Sequence, residues 1–520
     1  MEKNEPQFNL VREKWVPIAG KERASLGDLF IDASLPRFGG NAIEKISLLK
    51  LALAIAQASG TPEDNTAWRN LGSTGLAAQA MAYLAKHEDE FWLYGDRPFL
   101  QMRAISDAEE VPYGALQPEI ATGNTTVLIQ SQIERTCSPE EVAVLLVTLM
   151  NFAQGGKKAD NSVVLSTGYH GKSNEKGNPS TAKAGPALGF LGYLHSFLLG
   201  SSIQETIWLN LLTQRDIEGM SYLSEGLGRA AWEAMPIGED DLIARKLRES
   251  YLGRLVPLSR FVLFTSKGVH YSEGIPFPGH KEGAHDPSIA VSAGSDRKAL
   301  WTNPDLRPWR QLPALLSFFD ATSTDQFDCR LLRIAIPRAS QELPCFALWS
   351  GGLKVSSNAG EQYVSGLDDF VESEVLLSSA WMEAVWFQRL KIEMEDLKTL
   401  SKSLYGSIAS YFKTLKAEGK EIAAKASGVF WEDCESIFPE LVVACGESSD
   451  GNLFAKRKQF ARFAEECYDR ACPRESARQI EAWAAHRILT YHYVNPAAVP
   501  TPKAAKASRS GTKRKTKNKG

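Results

Sequence analysis

A repeated helical pattern in the C-terminal part of the chain constrains the fold more than any other feature of the sequence. From residue 372 onward, apolar residues recur at spacings of three and four over segments near 374–417, 420–446, 452–470 and 473–493. Such spacing places the apolar side chains on one face of each helix. Because short breaks separate the four amphipathic segments, we predict an antiparallel four-helix bundle over residues 372–495.

Residues 1–371 have a mixed pattern instead. Helical spacing covers 41–59 and 68–86, and Ser138-Pro139-Glu140-Glu141 has the composition of a helix start with a capping box. Helical spacing also resumes at 187–199. Short apolar runs predict strands near 8–11, 15–18, 91–102, 258–265, 331–336 and 345–349. The predicted fold class is therefore α+β, with a large mixed α/β N-terminal domain at 1–371 followed by the bundle.

The charge of the chain is unevenly distributed. Residues 496–520 contain eight Lys or Arg and no acidic residue, so we predict a disordered basic tail there. The remainder has 51 basic and 62 acidic residues, a net charge of −11, so contact with nucleic acid must come from local patches. Seven scattered cysteines, the polar start and the absence of a long apolar run predict a cytoplasmic protein without a membrane partner.

Motifs that would indicate an enzyme are incomplete. The segment 166–173 ends in Gly-Lys-Ser like a P-loop, but Ser166 stands in place of the first glycine. His270, His280 and His285 lie close together in sequence, but their turn-rich setting predicts exposed loop histidines rather than a metal site. No nucleophile–histidine arrangement can be identified. We therefore predict no catalytic residues, no metal and no cofactor.

A single lysine and one pair of lysines are candidates for contact with nucleic acid. Lys267 follows an apolar strand-like run and precedes a glycine, a position from which it could reach a phosphate or a groove. Lys157 and Lys158 follow Gly155 and Gly156, and glycines allow a close approach of the backbone to a strand. The alternative for Lys267 is a solvated lysine at a strand end, and the alternative for Lys157 and Lys158 is a mobile, soluble loop.

Several parts of the chain, in their order, resemble one known family. They are the run FNLVREKWVPI at 8–18, the run DRPFLQM at 96–102, a glycine-containing loop after a buried helix, Gly351-Gly352-Leu353, and the helical C-terminal part. This order is similar to that of the CasA family, the large subunits of the type I-E CRISPR surveillance complex called Cascade.

The resemblance implies a function that the motifs alone do not. It implies a non-catalytic subunit of an RNA-guided antiviral complex that recognises the protospacer-adjacent motif (PAM) on double-stranded DNA. The implied subunit promotes R-loop initiation and helps to recruit a helicase–nuclease, while the guide RNA reads the target by base pairing. The implied partners are CRISPR RNA, the Cascade backbone and small subunits, double-stranded target DNA and the helicase–nuclease.

The resemblance also implies site residues. The family's PAM-reading lysine matches Lys267, seven residues before Gly274. Its glycine-rich loop matches Gly155-Gly156, with Gly168–Gly171 as an alternative. Its glutamine-bearing wedge hairpin, after a Gly-Gly pair, matches Lys354–Asn358, where Ser356, Ser357 and Asn358 replace the glutamine pattern. A loop that touches the guide RNA matches Val127, Leu128, Ile129 and Gln130.

Two other functions remain open on the sequence. One is a nucleotide-binding enzyme that uses the degenerate P-loop at 166–173. The other is a helical scaffold protein with a basic tail and no specific role on DNA.

Overall fold

The computed structural model of the chain describes residues 7–116, 136–153, 159–166, 192–320, 326–358, 361–363, 369–447 and 449–495. The described chain separates into two compact units, Met1–Lys391 and Ile392–Gly520. The predicted start of the helical part at residue 372 falls inside a strand, Phe370–Ser378, and the next long helix begins only at Ala384. The tail at 496–520 lies outside the described residues.

The first unit contains the mixed α/β architecture. Its described helices are α1 Leu26–Ile31, α2 Ala42–Gly60, α3 Asn65–Lys86, α4 Tyr113–Leu116, α5 Pro139–Asn151, α6 Ile203–Leu209, α7 Gln214–Glu218, α8 Leu242–Arg248, α9 Tyr251–Leu255, α10 Leu312–Leu315 and α11 Arg330–Glu342. Helix α5 begins as predicted: the Ser138 hydroxyl accepts a hydrogen bond from the Glu141 N–H, and the Glu141 carboxylate accepts one from the Ser138 N–H.

Ten described strands form four small antiparallel sheets. The strands are β1 Glu110–Pro112, β2 His195–Leu199, β3 Arg260–Phe264, β4 Gly268–Glu273, β5 Ala290–Ser292, β6 Phe327–Cys329, β7 Cys345–Leu353, β8 Ser356–Asn358, β9 Glu361–Tyr363 and β10 Phe370–Ser378. Two sheets have three strands, in the orders β1-β4-β3 and β10-β7-β2, while β5 pairs with β6 and β8 pairs with β9.

The core of this unit is built around long-range aromatic contacts. Trp68 of α3 and Trp208 of α6 stack with ring centroids 4.2 Å apart and planes inclined by 5°. Each indole N–H donates to the backbone carbonyl of the other tryptophan, at 2.9 and 3.1 Å. The polar edges of both rings are thereby satisfied in the interior, which allows two of the largest side chains to be buried together.

The C-terminal part is helical, as predicted. Its described helices are α12 Ala384–Thr414, α13 Lys420–Gly446, α14 Gly451–Ala471, α15 Ala477–Ala485 and α16 Tyr491–Val494. Helices α13 and α14 pack along their length and bury Phe430, Phe438 and Phe460. The segment 473–493 forms two short helices rather than one. The α+β fold class, with helices at the C-terminal end, is confirmed.

Several predicted elements of the first unit are wrong. Residues 8–11, 15–18 and 91–102 form only isolated bridges, such as Asn9 with Trp92, because their hydrogen-bond partners come from loops rather than strands. The predicted strand 331–336 lies inside helix α11. The predicted helical end of 187–199 is strand β2, buried at every residue, so no alternation distinguishes it from a helix. No helix in the described part of the chain is long and apolar enough to cross a bilayer.

Candidate nucleic-acid interface

Lys267 lies in the turn between strands β3 and β4, as the sequence predicted. The strands pair in antiparallel register up to Phe264 and Val269. The Thr265 hydroxyl accepts hydrogen bonds from the N–H groups of Lys267 (3.0 Å) and Gly268 (3.1 Å). Lys267 itself is exposed and forms no ion pair with any residue that the structure describes. An unneutralised ammonium group is therefore presented from a turn whose backbone is fixed.

The turn is held in place by strand β1 and helix α4. Strand β1 pairs with β4, and Pro112 lies opposite Gly268. A Cβ atom at Gly268 would lie 2.5 Å from the Val111 carbonyl oxygen, so the strands approach this closely only with glycine. The Tyr113 hydroxyl donates to the Thr265 carbonyl, which ties α4 to the same turn.

The seven-residue spacing between Lys267 and Gly274, on which the family match rests, spans one whole strand. Gly274 follows the last residue of β4, so the two residues lie at opposite ends of a strand roughly 20 Å long. A Cβ atom at Gly274 would lie 2.2 Å from the Leu258 carbonyl oxygen. Gly274 therefore serves the packing of the strand end and is not brought together with Lys267.

The predicted glycine-rich loop at Gly155, Gly156, Lys157 and Lys158 lies outside the described residues, but both of its neighbouring segments are described. The segment that follows is anchored to β4: the Asp160 N–H donates to the Tyr271 carbonyl at 2.8 Å, and Asp160 forms a parallel bridge with Ser272. The strand that begins beside Lys267 thus also holds the end of this segment. The predicted RNA-contacting residues Val127–Gln130 and the alternative glycines 168–171 lie outside the described residues as well.

The segment that precedes the loop is anchored by a buried charged cluster. Lys50 forms an ion pair with Asp286 (Nζ to Oδ2, 2.6 Å) and donates to Asn151 Oδ1, also at 2.6 Å. Asn151 is the last residue of α5. The Asn151 amide donates in turn to the Leu255 carbonyl, at 3.4 Å. The end of α5 is therefore fixed from two sides, shortly before the chain reaches Gly155.

His270, His280 and His285 are not exposed, so the prediction of exposed loop histidines is wrong. His280 is buried, His270 and His285 are partly buried, and His270 Nδ1 lies 2.8 Å from the Ala108 carbonyl oxygen. Burial lowers the pKa of His285 to about 4, and burial likewise lowers the pKa of the neighbouring His195 to about 4. Both rings are neutral at pH 7. Within the described ranges, no group of three or more His, Cys, Asp or Glu residues could hold a metal ion.

Arg254 is the second buried cation beside the cluster of Lys50 and Asp286. Its side chain is buried, and its guanidinium nitrogens have no hydrogen-bond partner in the described part of the chain. The guanidinium carbon lies 5.4 Å from the ring centroid of Tyr222 and 5.9 Å from that of Phe277. Aromatic faces thus replace part of the lost hydration, and burial lowers the pKa of Arg254.

The predicted wedge segment is a β-hairpin, and it extends further than the sequence indicated. Strand β8 pairs with β9 so that Ser356 lies opposite Tyr363, Ser357 opposite Gln362, and Asn358 opposite Glu361. The second strand therefore carries a glutamine that the sequence reading missed. No local signal in the sequence indicates this pairing, because Ala-Gly is not one of the dipeptides typical of a two-residue hairpin turn.

The Gly351-Gly352 pair positions this hairpin. A Cβ atom at Gly352 would lie 2.3 Å from Thr302 Oγ1 and 2.6 Å from the Tyr193 carbonyl oxygen. Strand β7 can pass this close to residues 193 and 302 only without a side chain. At the base of the hairpin, the Lys354 N–H donates to the Asp369 carbonyl at 2.8 Å.

The described part of the incomplete P-loop does not fit phosphate binding. Residues 159–166 form no strand, although a P-loop follows one directly. The Ser166 N–H donates to the buried Glu239 carboxylate at 2.7 Å, and the Asp240 N–H donates to the Ser166 hydroxyl at 3.0 Å. The described end of this motif therefore packs against an acidic residue, which would repel a phosphate.

Comparison with known proteins identifies relatives of this fold. A family model described as CRISPR-associated protein Cse1 matches residues 9–471. A curated protein of Thermus thermophilus, described as CRISPR-associated protein CasA/Cse1, is 26% identical over 336 residues, which is 60% of this chain. The chain thus spans about 60% of the length of that relative.

Solved structures with the same fold cover nearly the whole chain. The crystal structure of CasA from Thermus thermophilus has a TM-score of 0.71 and 18% identity, and the match covers 94% of this chain and 99% of that one. Thermobifida fusca Cse1 has a TM-score of 0.73 and 19% identity, with 94% and 96% covered. A chain of a CRISPR RNA-guided surveillance complex has a TM-score of 0.68 and 15% identity, with 93% and 99% covered. At these identities the likeness concerns the fold alone.

Proposed function

The chain belongs to the CRISPR-associated Cse1 family, and from this membership we propose that it is the non-catalytic large subunit of an RNA-guided antiviral surveillance complex. In this role it recognises the PAM on double-stranded DNA, promotes the start of the R-loop and helps to recruit a helicase–nuclease. Its partners are CRISPR RNA and the backbone and small subunits of the complex. The fold shared with a chain of a surveillance complex supports this assignment.

The observation that carries the proposal is the exposed Lys267 on its fixed turn. A lysine ammonium group can donate to acceptor atoms on base edges, and a rigid turn lowers the entropy lost when it does so. The body of the chain is acidic, so a single projecting lysine provides local attraction without general affinity for DNA. We assign to Lys267 the reading of the PAM.

The loop at 155–158 is assigned to the same DNA segment. Strand β4 starts beside Lys267 and is bridged to Asp160, so one strand supports the lysine and the end of the loop. Gly155 and Gly156 would allow the backbone to approach the duplex, and Lys157 and Lys158 would contact phosphates. Residues 127–130 are assigned to the guide RNA on the basis of the family resemblance.

The hairpin β8–β9 is assigned to strand separation. A short hairpin fixed at its base can insert beside the first base pair, and the contacts that it gains offset the cost of unstacking. Residues Ser356, Ser357 and Asn358 lie on one strand, and Gln362 lies on the other. We place the amide that the family resemblance requires at Gln362.

The PAM assignment is tested by Lys267→Ala in the reconstituted complex. Affinity for a duplex with the PAM should fall by roughly ten-fold, while affinity for a duplex without it should change little, because a base contact contributes about 1–3 kcal/mol of discrimination. Lys246→Ala is the matched control, since Lys246 is also exposed but lies on helix α8. An equal loss on both duplexes would reduce Lys267 to a phosphate contact and contradict the assignment.

A further inference from the structure

A small cavity lies in the interior of the first unit, beside the buried charged cluster. Its volume is about 10 Å³, and its wall includes the charged side chains of Lys50, Arg254 and Asp286. All three side chains are buried. A cavity of this volume is close to the smallest that holds one water molecule. It can therefore take a single water or a monatomic ion, but it is too small for a phosphate or a nucleotide.

Arg254 is the group of this wall that lacks hydrogen-bond acceptors. Its Nε, Nη1 and Nη2 atoms are all buried, and none has a hydrogen-bond partner among the residues that the structure describes. Burial of a charged donor without an acceptor is costly. Arg254 therefore needs an acceptor from outside the described chain.

Another buried arginine shows the ordinary solution. Arg338 donates from Nε to Asn65 Oδ1 at 2.7 Å and from Nη1 to the Leu211 carbonyl at 3.3 Å. Its Nη2 forms an ion pair with Asp216. Each nitrogen of that guanidinium group is thus paired within the chain, which Arg254 does not achieve.

The carboxylate of the cavity wall is already occupied by other donors. Asp286 Oδ2 lies 2.6 Å from Lys50 Nζ. Asp286 Oδ1 accepts hydrogen bonds from the Ser288 N–H at 2.9 Å and from the Ser288 hydroxyl at 2.7 Å. Both oxygens are therefore engaged, and Asp286 does not serve as the acceptor for Arg254.

The other titratable groups of the wall are neutral at pH 7. Burial lowers the pKa values of His195 and His285 to about 4. Burial, and then the charge of Lys281, lowers the pKa of His280, while burial raises the pKa of Tyr193 to about 12. None of these groups therefore balances the charge of a neighbouring cation.

The charges in the wall leave an excess of one positive charge. Burial lowers the pKa of Lys50, but its contact with the ionised Asp286 opposes this effect and keeps the ammonium form. Lys50 and Arg254 thus face one carboxylate among the described lining residues. A water molecule would accept hydrogen bonds from Arg254 but would leave this charge uncompensated, whereas a monovalent anion satisfies both needs.

We propose that this cavity binds one chloride ion, which accepts hydrogen bonds from the Arg254 guanidinium group and balances its charge. Chloride is the monatomic anion of ordinary saline solutions. The ion would connect helix α9, which carries Arg254, to the end of α5 and to the loop 278–286. The site is independent of the proposed function on DNA. Because the unfolded chain lacks the cavity, chloride should stabilise the folded state by mass action.

The test is urea denaturation of the full chain at constant ionic strength, with gluconate replaced stepwise by chloride. In wild type, each ten-fold rise in chloride above the dissociation constant should lower the unfolding equilibrium constant roughly ten-fold. Arg254→Met should lose this dependence. Arg245→Met is the control, since Arg245 is an exposed arginine paired with Asp240, and this variant should respond to chloride as wild type does.

Bromide locates the ion in wild type, so this measurement decides the question even if Arg254→Met does not fold. In crystals of the full chain grown with bromide, an anomalous signal should lie within hydrogen-bond distance of the Arg254 nitrogens. An ordered water without a bromide signal at this position would overturn the inference. Equal stability of wild type in chloride and in gluconate, or an equal response of Arg254→Met, would also overturn it.

Discussion

Lys50 and Asp286 form an ion pair in the interior, with 2.6 Å between Nζ and Oδ2. Burial by itself raises the pKa of Asp286, but the charge of Lys50, the nearby His195 and hydrogen bonds outweigh it and hold that pKa well below its usual range. The carboxylate is therefore ionised at neutral pH. Because Lys50 also binds Asn151, this pair connects helix α2 to the end of α5.

Removing Lys50 should destabilise the protein strongly. In Lys50→Met the Asp286 carboxylate remains buried without its partner, which typically costs about 3–5 kcal/mol. Urea denaturation of the full chain, followed by tryptophan fluorescence, should show this as a lower midpoint. The double variant Lys50→Met/Asp286→Leu should recover much of the loss, because it leaves no uncompensated buried charge.

An exposed ion pair provides the control for this experiment. Lys425 and Glu421 lie 3.2 Å apart on helix α13, and both side chains are largely exposed. Lys425→Met should change the free energy of unfolding by less than about 1 kcal/mol. If the two lysine variants had equally small effects, the buried pair would not contribute to stability in the way that we describe.

The stability of the protein should fall with acidification from pH 6.5 to pH 4. Burial lowers the pKa values of His195 and His285 from 6.5 to about 4, so the unfolded chain binds protons in this range and the folded chain does not. Each histidine makes its full contribution to the free energy of unfolding above pH 6.5. For the fully buried His195 this contribution is on the order of 3 kcal/mol. Denaturation midpoints measured across this range test the prediction.

A variant isolates the histidine effect. His195→Gln should flatten the dependence of the midpoint on pH between 4 and 6.5, whatever it does to stability at pH 7. The same replacement at the exposed His492 should leave the slope as it is in wild type. An unchanged slope in His195→Gln would show that other groups cause the acid sensitivity.

The elements that could be predicted from sequence are those specified by local chemistry. The start of α5 at Ser138-Pro139 is one, because the cap, the proline and the returning glutamate lie within four residues. The segment 331–336 was predicted wrongly, since its short apolar run suggested a strand, but it lies within α11, whose apolar face is buried. Tertiary packing overrode local preference there.

The residues of the candidate site likewise differ in whether local sequence alone could place them. Lys267 could be placed at a strand end because the apolar run before it is local. Gln362 was missed, because its relation to Ser357 exists only through the pairing of β8 with β9. The stacking of Tyr193 on Trp301 could not be predicted at all, since the two rings come from segments far apart in the chain.

Gly352→Ala should disturb the hairpin through packing. The new Cβ would lie 2.6 Å from the Tyr193 carbonyl oxygen, and backbone cannot move aside cheaply. We expect a loss of about 1–3 kcal/mol in the free energy of unfolding and slower R-loop formation by the complex. Gly294→Ala is the control, since no heavy atom lies within 4 Å of a Cβ there. Equal unfolding midpoints for both variants would contradict the proposed role of Gly352.

Variants of the hairpin should impair strand opening but not the first contact with DNA. In one, glycines replace Ser356, Ser357 and Asn358; in the other, Gln362 is replaced by alanine. Both should bind the PAM duplex at the wild-type rate and form the R-loop more slowly, because the cost of unstacking, a few kcal/mol per step, is no longer offset. A target with a pre-opened bubble should restore the rate. If the bubble gives no rescue, the hairpin is not the wedge.

Deletion of residues 496–520 should reduce binding to DNA at low salt and flatten its dependence on salt. These residues carry eight positive charges, and each duplex phosphate that they neutralise adds close to one unit to the slope of log affinity against log salt. The preference for the PAM should stay the same, because phosphate contacts carry no sequence information. Titrations of the reconstituted complex at several salt concentrations, with and without the tail, measure both quantities. An unchanged slope after deletion would show that the tail is a solvated extension without contact to DNA.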